Sequence, residues 1–323
     1  MRFAAPRLLI LVLGQFFWFH IACADPGELP PGMAAGGAPV TPPSSATREK
    51  AAVVRARVTQ PICATASQLK LVWHDEFNDL SLDDTFPTTA RWLGHFGKWN
   101  VRYLSANGDD GIKLVDNSVL QSGETVADAL RPTWPDRGGF LHQVSNGTLK
   151  LRAYPVPDAL TSAFWDHHFV ASMISGEPSF AQRYGYWETR LRLNSIGKGQ
   201  HFTLWLLASD GSWPPEIDIV EVVGNNPHLF SANVNNAPMD FYGEPTTPDG
   251  FHVFGLLLTS TTIRWTIDGK VVREIADTMI GNKALYLLAT WEIGSIRPEE
   301  MPDASTPWPA EAEIDYVRIY SPP

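Results

Sequence analysis

The chain is poor in cysteine and in charged residues. Two cysteines occur among 323 residues, and Asp, Glu, Lys and Arg together make up only 19% of the sequence. The acids outnumber the bases by 35 to 25, and the net charge of −10 argues against a nucleic-acid binder, whose contact surface is basic. Disorder of the whole chain is excluded too, because 44% hydrophobic and 11% aromatic residues suffice for a large core.

Long apolar runs are also lacking, with one exception near the N-terminus. Two arginines precede the apolar run 8–21, and Ala22-Cys23-Ala24 fits the small-residue rule for signal-peptide cleavage. We therefore expect a signal peptide over residues 1–24 and a secreted or periplasmic mature chain that does not span a membrane. Lipidation at Cys23 is the alternative, although His20 stands where that motif favours an aliphatic residue.

The mature chain would keep a single cysteine, Cys63, without an intrachain disulfide partner. Its net charge would change from −10 to −12, because the leader removes two arginines and no acid. Residues 25–43 hold six prolines and four glycines without any periodic pattern. We predict a largely disordered linker over residues 25–68 and one folded domain over 69–321, and the oligomeric state stays open.

Short strands dominate the pattern of the predicted domain. No long amphipathic helical pattern follows Leu69, and the residues from Tyr184 to Leu193 alternate between two faces. Asn146-Gly147 and Asp268-Gly269 each separate two strand-like runs and predict tight hairpins. Because no βαβ rhythm is present, the sequence predicts an all-β sandwich or jelly roll.

Three acids lie in one strand-like segment, 215–223, with only Ile and Val between them. Glu216 and Asp218 share a face, roughly 7 Å apart, because alternate residues of a strand face the same side. Simple alternation would turn Glu221 into the core, where a charge is costly. We predict a β-bulge at Ile219-Val220 that returns Glu221 to the face of Glu216.

Carboxylates placed this close together favour acid–base chemistry. Their mutual repulsion raises the pKa of one of them. A retaining glycosidase needs this division, with an ionised nucleophile and a protonated acid about 5–5.5 Å apart. An exposed acidic strand face and a calcium site built of carboxylates are the alternatives that the motif alone leaves open.

Five further blocks surround the acid motif in a fixed order. They are Trp73–Phe77, Tyr184–Arg190, Asp210–Pro215, Phe251–Gly255 with Ile267–Lys270, and Ile314–Tyr320. Together with the acid segment, which fits E-[ILV]-D-[IV]-x-E, these blocks resemble family 16 glycoside hydrolases. The resemblance covers roughly residues 69–320, and five ordered blocks are much more specific than the acid motif alone.

The resemblance implies a concanavalin-like β-jelly-roll sandwich of two antiparallel sheets with a cleft on the concave face. It implies retaining endo-hydrolysis of a β-glucan or β-galactan without a required cofactor, with Glu216 as nucleophile, Glu221 as general acid/base and Asp218 as helper. The Ser212–Glu216 segment is most similar to bacterial members that cut exopolysaccharides of the succinoglycan type. A transglycosylase with the same residues and a non-catalytic sugar-binding jelly roll are the alternatives.

The chain departs from the family where a sugar would be held. His201 stands where many members have the first Trp of W-P-A-F-W, which removes a flat stacking platform. Asn235 lies near a place where many relatives have a histidine, and Trp291 offers a new stacking surface. Aromatic rings suit sugar stacking but are also common in β cores. The expected substrate-binding residues are Trp213, Trp205, His201, Arg190, Asn235 and Trp291.

A structural calcium ion is a further expectation. Glu76 and Asp315 match positions at which many relatives hold Ca²⁺ on the convex side, although ordinary loop acids would give the same pattern. His167-His168 lacks a third ligand at a metal-binding spacing. The expected partner is a polysaccharide, with no nucleic acid and no membrane.

Overall fold

Two β-sheets packed face to face make up the fold. This computed structural model describes residues 69–99, 101–104, 108–234, 241–243 (backbone alone), 250–276, 283–294 and 300–321. The described residues belong to one compact unit. The predicted signal peptide and linker, with both cysteines, lie outside the described residues.

Strands account for most of the regular structure. Their bounds are β1 Lys70–Asp75, β2 Leu82–Asp83, β3 Trp92–Leu93, β4 Gly111–Lys113, β5 His142–Ser145, β6 Thr148–Pro155, β7 Phe169–Ala171, β8 Met173–Ser175, β9 Gly185–Ser195, β10 Gln200–Ala208, β11 Glu216–Val223, β12 Leu229–Val234, β13 Phe241–Gly243, β14 His252–Leu258, β15 Thr262–Ile267, β16 Lys270–Ala276, β17 Leu285–Ile293 and β18 Ala310–Ser321. The all-β prediction is therefore confirmed.

Helices are short in the part of the chain that the structure describes. Helix α1 spans Val126–Leu130, and its first turn is capped by the Thr125 hydroxyl, which accepts a hydrogen bond from the Asp128 N–H. Two 3₁₀ turns span Pro135–Arg137 and Asp158–Phe164. Among the described residues, none of these helices has the length and apolarity needed to cross a membrane.

The strands form two sheets of mixed direction. The first sheet has the order β16-β15-β14-β9-β18-β6-β7-β4, with β1 added to β18 and β5 added to β6. The second has the order β13-β12-β11-β10-β17-β8-β3-β2. Nearly all neighbours are antiparallel, but the short pairs β2–β3 and β4–β7 are parallel. The expectation of purely antiparallel sheets is wrong for these two pairs.

The two predicted hairpins are confirmed. Ser145 pairs with Thr148 across Asn146-Gly147, and both turn residues have positive φ, 56° and 73°. Asp268-Gly269 joins β15 to β16 with φ of 49° and 74°. Positive φ at both central residues suits the right-handed twist of the flanking strands, which is why Asn-Gly and Asp-Gly occur there.

The core lies between the sheets. From the first sheet it receives Trp187, Leu191 and Trp265, and from the second Phe202 and Leu204, all less than 2% exposed. Burial of each such side chain contributes about 1.5–3 kcal/mol. One face of the second sheet therefore packs in the core. The opposite face of β10, β11, β12 and β17 bears polar side chains.

Candidate active site

Three carboxylates lie on one face of β11. Between Asp218 and Glu221 the pairing with β10 and with β12 shifts by one residue. The predicted bulge is therefore confirmed, and it returns Glu221 to the side of Glu216 and Asp218. We call this side of the second sheet, with Glu216, Asp218, Glu221 and Glu292, the acidic face. The β10 partners of the three β11 acids are Leu207, Trp205 and Thr203, in that order.

The core holds the bulge in place. Ile219 and Val220 are 4% and 1% exposed, so both consecutive residues pack into the core. The Asp218 carbonyl, at the register shift, accepts a hydrogen bond of 2.8 Å from the indole N–H of Trp265 on the first sheet. A buried carbonyl without a partner would cost about 1–3 kcal/mol, so this bond stabilises the irregular backbone.

Glu216 begins β11 beside an exposed tryptophan. The indole N–H of Trp213 donates to Glu216 Oε2 at 3.1 Å, and Trp213 is 44% exposed. Burial raises the pKa of Glu216 to about 7, the Trp213 hydrogen bond opposes the rise, and the charges of Glu221 and Glu292 add to it. At neutral pH, Glu216 is therefore present in comparable amounts as acid and as carboxylate.

Asp218 is the buried acid in the middle of the row. Burial raises its pKa well above the usual range, and the charges of Glu221, Glu216 and Glu292 raise it further. The protonated form of Asp218 is therefore favoured over its carboxylate. A proton on Asp218 lowers the electrostatic repulsion within the row.

Glu221 receives hydrogen bonds from two other strands. The Asn233 amide donates to Oε2 at 2.6 Å and the Ser231 hydroxyl to the same oxygen at 3.1 Å, both from β12. On the other side, Nε2 of His201 on β10 lies 3.3 Å from Oε1. The side chain of Glu221 is therefore fixed from both neighbouring strands.

His201 lies between Glu221 and a fourth acid, Glu292 on β17. Nδ1 of His201 is 3.7 Å from Glu292 Oε2. Burial lowers the pKa of His201, but hydrogen bonding to Glu221 and Glu292 and the charges of both outweigh it and raise the value to about 10. The predicted site residue His201 thus belongs to the acidic face, where it is an imidazolium cation.

Glu292 was not predicted from the sequence. It is 9% exposed and lies opposite His201 in the pairing of β10 with β17. Its neighbour Trp291 was predicted to be a stacking surface, and this prediction is wrong. Trp291 is fully buried, packs against Phe202, and donates its indole N–H to the Leu151 carbonyl at 3.1 Å.

Arg190 does not lie in the site. It belongs to β9 of the first sheet, where it forms an ion pair with Asp315 and its guanidinium lies over the Phe251 ring. The prediction that it contacts substrate in the cleft is wrong, because its side chain points away from the core on the sheet opposite to the acids.

Trp205 lies on the acidic face but is covered. It is 4% exposed, donates its indole N–H to Thr290 Oγ1 at 2.9 Å, and packs edge-to-face against Phe96. Its ring therefore offers no stacking surface, contrary to the prediction. Of the predicted tryptophans, Trp213 is the exposed one at the site. The predicted residue Asn235 lies outside the described residues.

The described residues do not fit a calcium ion at Glu76 and Asp315. Glu76 accepts two hydrogen bonds from Arg318, at 2.9 and 2.8 Å, and Asp315 is paired with Arg190. Ca²⁺ needs six to eight oxygen ligands, whereas guanidinium groups occupy these carboxylates. No group of three or more acidic, His or Cys side chains suited to a metal occurs among the described residues.

Comparison with known families agrees with this arrangement of a two-sheet sandwich and a row of acids. The model described as "Glycosyl hydrolases family 16" matches residues 140–297, a range that contains β11 and Glu292. Residues 140–297 are therefore similar to glycosyl hydrolase family 16, the family that the sequence blocks resemble.

Two bacterial relatives match most of this chain. Endo-1,3-1,4-beta-glycanase EglC of Rhizobium meliloti (strain 1021) is 29% identical over 262 residues, which are 79% of this chain and 52% of the relative. Endo-1,3-1,4-beta-glycanase ExsH of the same organism is 28% identical over 265 residues, with the same two shares. The chain thus spans about half the length of these curated relatives.

Solved structures share the fold. The catalytic domain of an endo-1,3-beta-glucanase (laminarinase) from Thermotoga petrophila RKU-1 superposes with a TM-score of 0.59 at 20% identity, over 79% of this chain and 98% of that one. SCLam, a non-specific endo-beta-1,3(4)-glucanase, gives a TM-score of 0.59 at 23% identity, over 82% and 95%. These similarities confirm the β-jelly-roll sandwich.

Proposed function

We propose that this protein is a retaining endo-β-glycosidase that hydrolyses a β-linked glucan or a related bacterial exopolysaccharide. The observation that carries the proposal is the bulge in β11, which gathers Glu216, Asp218 and Glu221 on one face. The relatives named endo-1,3-1,4-beta-glycanases support a β-glycan substrate. A fold neighbour co-crystallised with 1,3-beta-D-cellotriosyl-glucose supports an oligosaccharide ligand.

The proposed reaction is a double displacement. The Glu216 carboxylate attacks the anomeric carbon while Glu221 gives its proton to the departing glycosidic oxygen. The sugar is then bonded to Glu216, and Glu221, now a carboxylate, takes a proton from the water that cleaves this bond. Asp218 holds the shared proton next to the nucleophile. Both steps draw their nucleophile and their protons from these carboxyl groups and water, so no cofactor is required.

The test of the assignment is Glu216→Gln in the purified protein. We expect the release of oligosaccharides from a β-glucan to fall roughly 10³-fold or more, because the nucleophile is lost while the side-chain shape is kept. Glu274→Gln is the matched control, since Glu274 pairs with Arg264 on the first sheet. Undiminished release by Glu216→Gln would contradict the proposal.

Stereochemistry tests the order of steps. NMR of the first product should show a β-anomer, because two inversions at one carbon retain configuration. An initial α-anomer would rule out the double displacement.

Assays on β-1,3-, β-1,4- and mixed glucans and on native exopolysaccharides would identify the linkage. Product analysis with excess acceptor sugar separates hydrolysis from transglycosylation, and binding without turnover across the panel would indicate a sugar-binding protein.

The proposed location is outside the cytoplasm. It rests on residues 1–24, where positive charge, an apolar run and Ala22-Cys23-Ala24 follow in the order of an export signal. N-terminal sequencing of the protein from its native host should begin at Asp25. A mature chain that starts at Met1 would contradict export through this segment.

A further inference from the structure

A line of three ionisable groups crosses three adjacent strands of the acidic face. Glu221 of β11, His201 of β10 and Glu292 of β17 follow one another, with nitrogen–oxygen distances of 3.3 and 3.7 Å. The pairing of β10 with β17 sets His201 directly opposite Glu292. The two ring nitrogens of the imidazole therefore face one carboxyl group each.

The surroundings of His201 are acidic from every described strand that packs against it. From β11 it faces Glu221, with Asp218 and Glu216 farther along the row. From β17 it faces Glu292. Thr203 Oγ1 lies 3.2 Å from Nε2, and the β12 residues that reach Glu221, Ser231 and Asn233, are uncharged.

A second ion pair lies beyond Glu292. Asp109, which the charge of Glu292 influences, is itself buried against Lys113, with 2.6 Å between Oδ2 and Nζ. The ammonium group of Lys113 therefore forms its ion pair with Asp109. Among the described groups, His201 is the cation in contact with Glu221.

We propose that His201 and Glu292 form a positioning pair that stabilises the carboxylate form of Glu221 between the two chemical steps. The proposal rests on the proposed function, in which Glu221 is the general acid/base. When the Glu221 proton passes to the departing glycosidic oxygen, a negative charge appears on Glu221 next to the imidazolium. Glu292 balances that cation, so that Glu221 still holds a proton before the step and recovers one from water after it.

The two members of the pair act in opposite directions, and this makes the proposal testable. His201→Gln removes the cation and leaves the Glu292 charge, so the loss of a proton from the acidic face becomes less favourable. The alkaline limb of the kcat/KM profile should move to higher pH by about one unit. Glu292→Gln removes the negative charge that neutralises the imidazolium. The alkaline limb should then move to lower pH by about one unit. The double variant should return close to the wild-type profile.

A structural role would not give this pattern. If both single variants lower kcat without moving the limb, or move it in the same direction, the positioning role is wrong. His252→Gln is the matched control, because His252 forms an equivalent pair with Asp268 on the first sheet, and its pH profile should equal that of the wild type. A wild-type protein without turnover on any glycan would instead overturn the proposed function.

A second measurement does not depend on activity. NMR titration of the His201 imidazole in the intact protein should show a cation that persists well above neutral pH. Glu221→Gln and Glu292→Gln should each lower the midpoint of that titration. An imidazole that titrates near its ordinary value of about 6.5 in the wild-type protein would contradict the proposal.

Discussion

Each of the three acids of β11 has a different set of contacts. Glu216 accepts a hydrogen bond from an exposed indole, Asp218 is buried, and Glu221 is held by groups from β10 and β12. The same chemical group therefore lies in three different surroundings along one strand.

Trp213 offers a test at the scale of one hydrogen bond. Trp213→Phe keeps an aromatic ring but removes the N–H that favours the carboxylate form of Glu216. The pKa of Glu216 should rise, and the acidic limb of the kcat/KM profile should move to higher pH by roughly half to one unit. Initial rates on a β-glucan across the pH range measure the shift.

Trp165→Phe is the control for this prediction, because Trp165 is also 44% exposed but follows the 3₁₀ turn Asp158–Phe164 rather than the site. Its acidic limb should match that of the wild type. An unmoved limb in Trp213→Phe would show that the indole N–H does not influence the ionisation of Glu216.

The site residues that were wrongly assigned or missed depend on features that the sequence pattern of a single strand does not show. Strand β17 is buried on both faces, so its sequence shows no alternation that could tell Trp291 from Glu292. For Arg190, alternation correctly separated it from Trp187 and Leu191, but the pattern of one strand does not say which sheet the strand joins. The partners of Glu221 likewise come from strands that are distant in sequence.

Local features were predictable at the scale of the element. The two hairpins follow from the backbone freedom of Asn-Gly and Asp-Gly, and the bulge follows from the cost of a buried charge at Glu221. The hydrogen bond that stabilises the bulge was not predictable. It comes from Trp265 on the other sheet, and only the packing of the two sheets brings that indole to the Asp218 carbonyl.

Two core tryptophans allow this hydrogen bond to be tested. Trp265→Phe and Trp187→Phe both shrink a buried ring. Only the change at Trp265 removes a hydrogen bond, because the Trp187 N–H has no hydrogen-bond partner among the described residues. Trp265→Phe should lower the free energy of unfolding by about 1 kcal/mol more than Trp187→Phe. Urea unfolding curves measure both, and equal losses would mean that the bond does not stabilise the bulge.

The acidic face affects the stability of the whole molecule. The pKa of Glu216 rises from an ordinary 4.5 to about 7 in the folded state, chiefly through burial. A raised carboxyl pKa means that the folded state binds the proton more tightly than the unfolded state. Stability is therefore lost as the pH rises from about 4.5 to about 7, and it stays reduced above that range.

Replacement of Glu216 should relieve this cost. Glu216→Gln should increase the free energy of unfolding by on the order of 1–2 kcal/mol at about pH 8, with little change near pH 4.5. Chemical denaturation at the two pH values measures the difference. Gains of equal size at both pH values would show that packing, and not charge, is the cause.

Glu313 provides a control of opposite sign. Burial raises its pKa, but hydrogen bonds from Thr148, Asn194 and Arg192 outweigh this and lower the value to about 2. Its contribution to stability is present above the ordinary pKa and is lost as the pH falls toward about 2. Glu313→Gln should therefore destabilise the protein at about pH 8, where Glu216→Gln stabilises it.

The three acids of β11 lie within one run of six residues, 216–221, so the spacing among them is set within a single strand. A slide of β11 against its neighbours would carry all three together, whereas His201 and Glu292 reach the same face from other strands. Single substitutions at those two positions alter the surroundings of the acids without disturbing their spacing. Substitutions at His201 and Glu292 can therefore change the pH range of the site while the row of carboxylates stays intact.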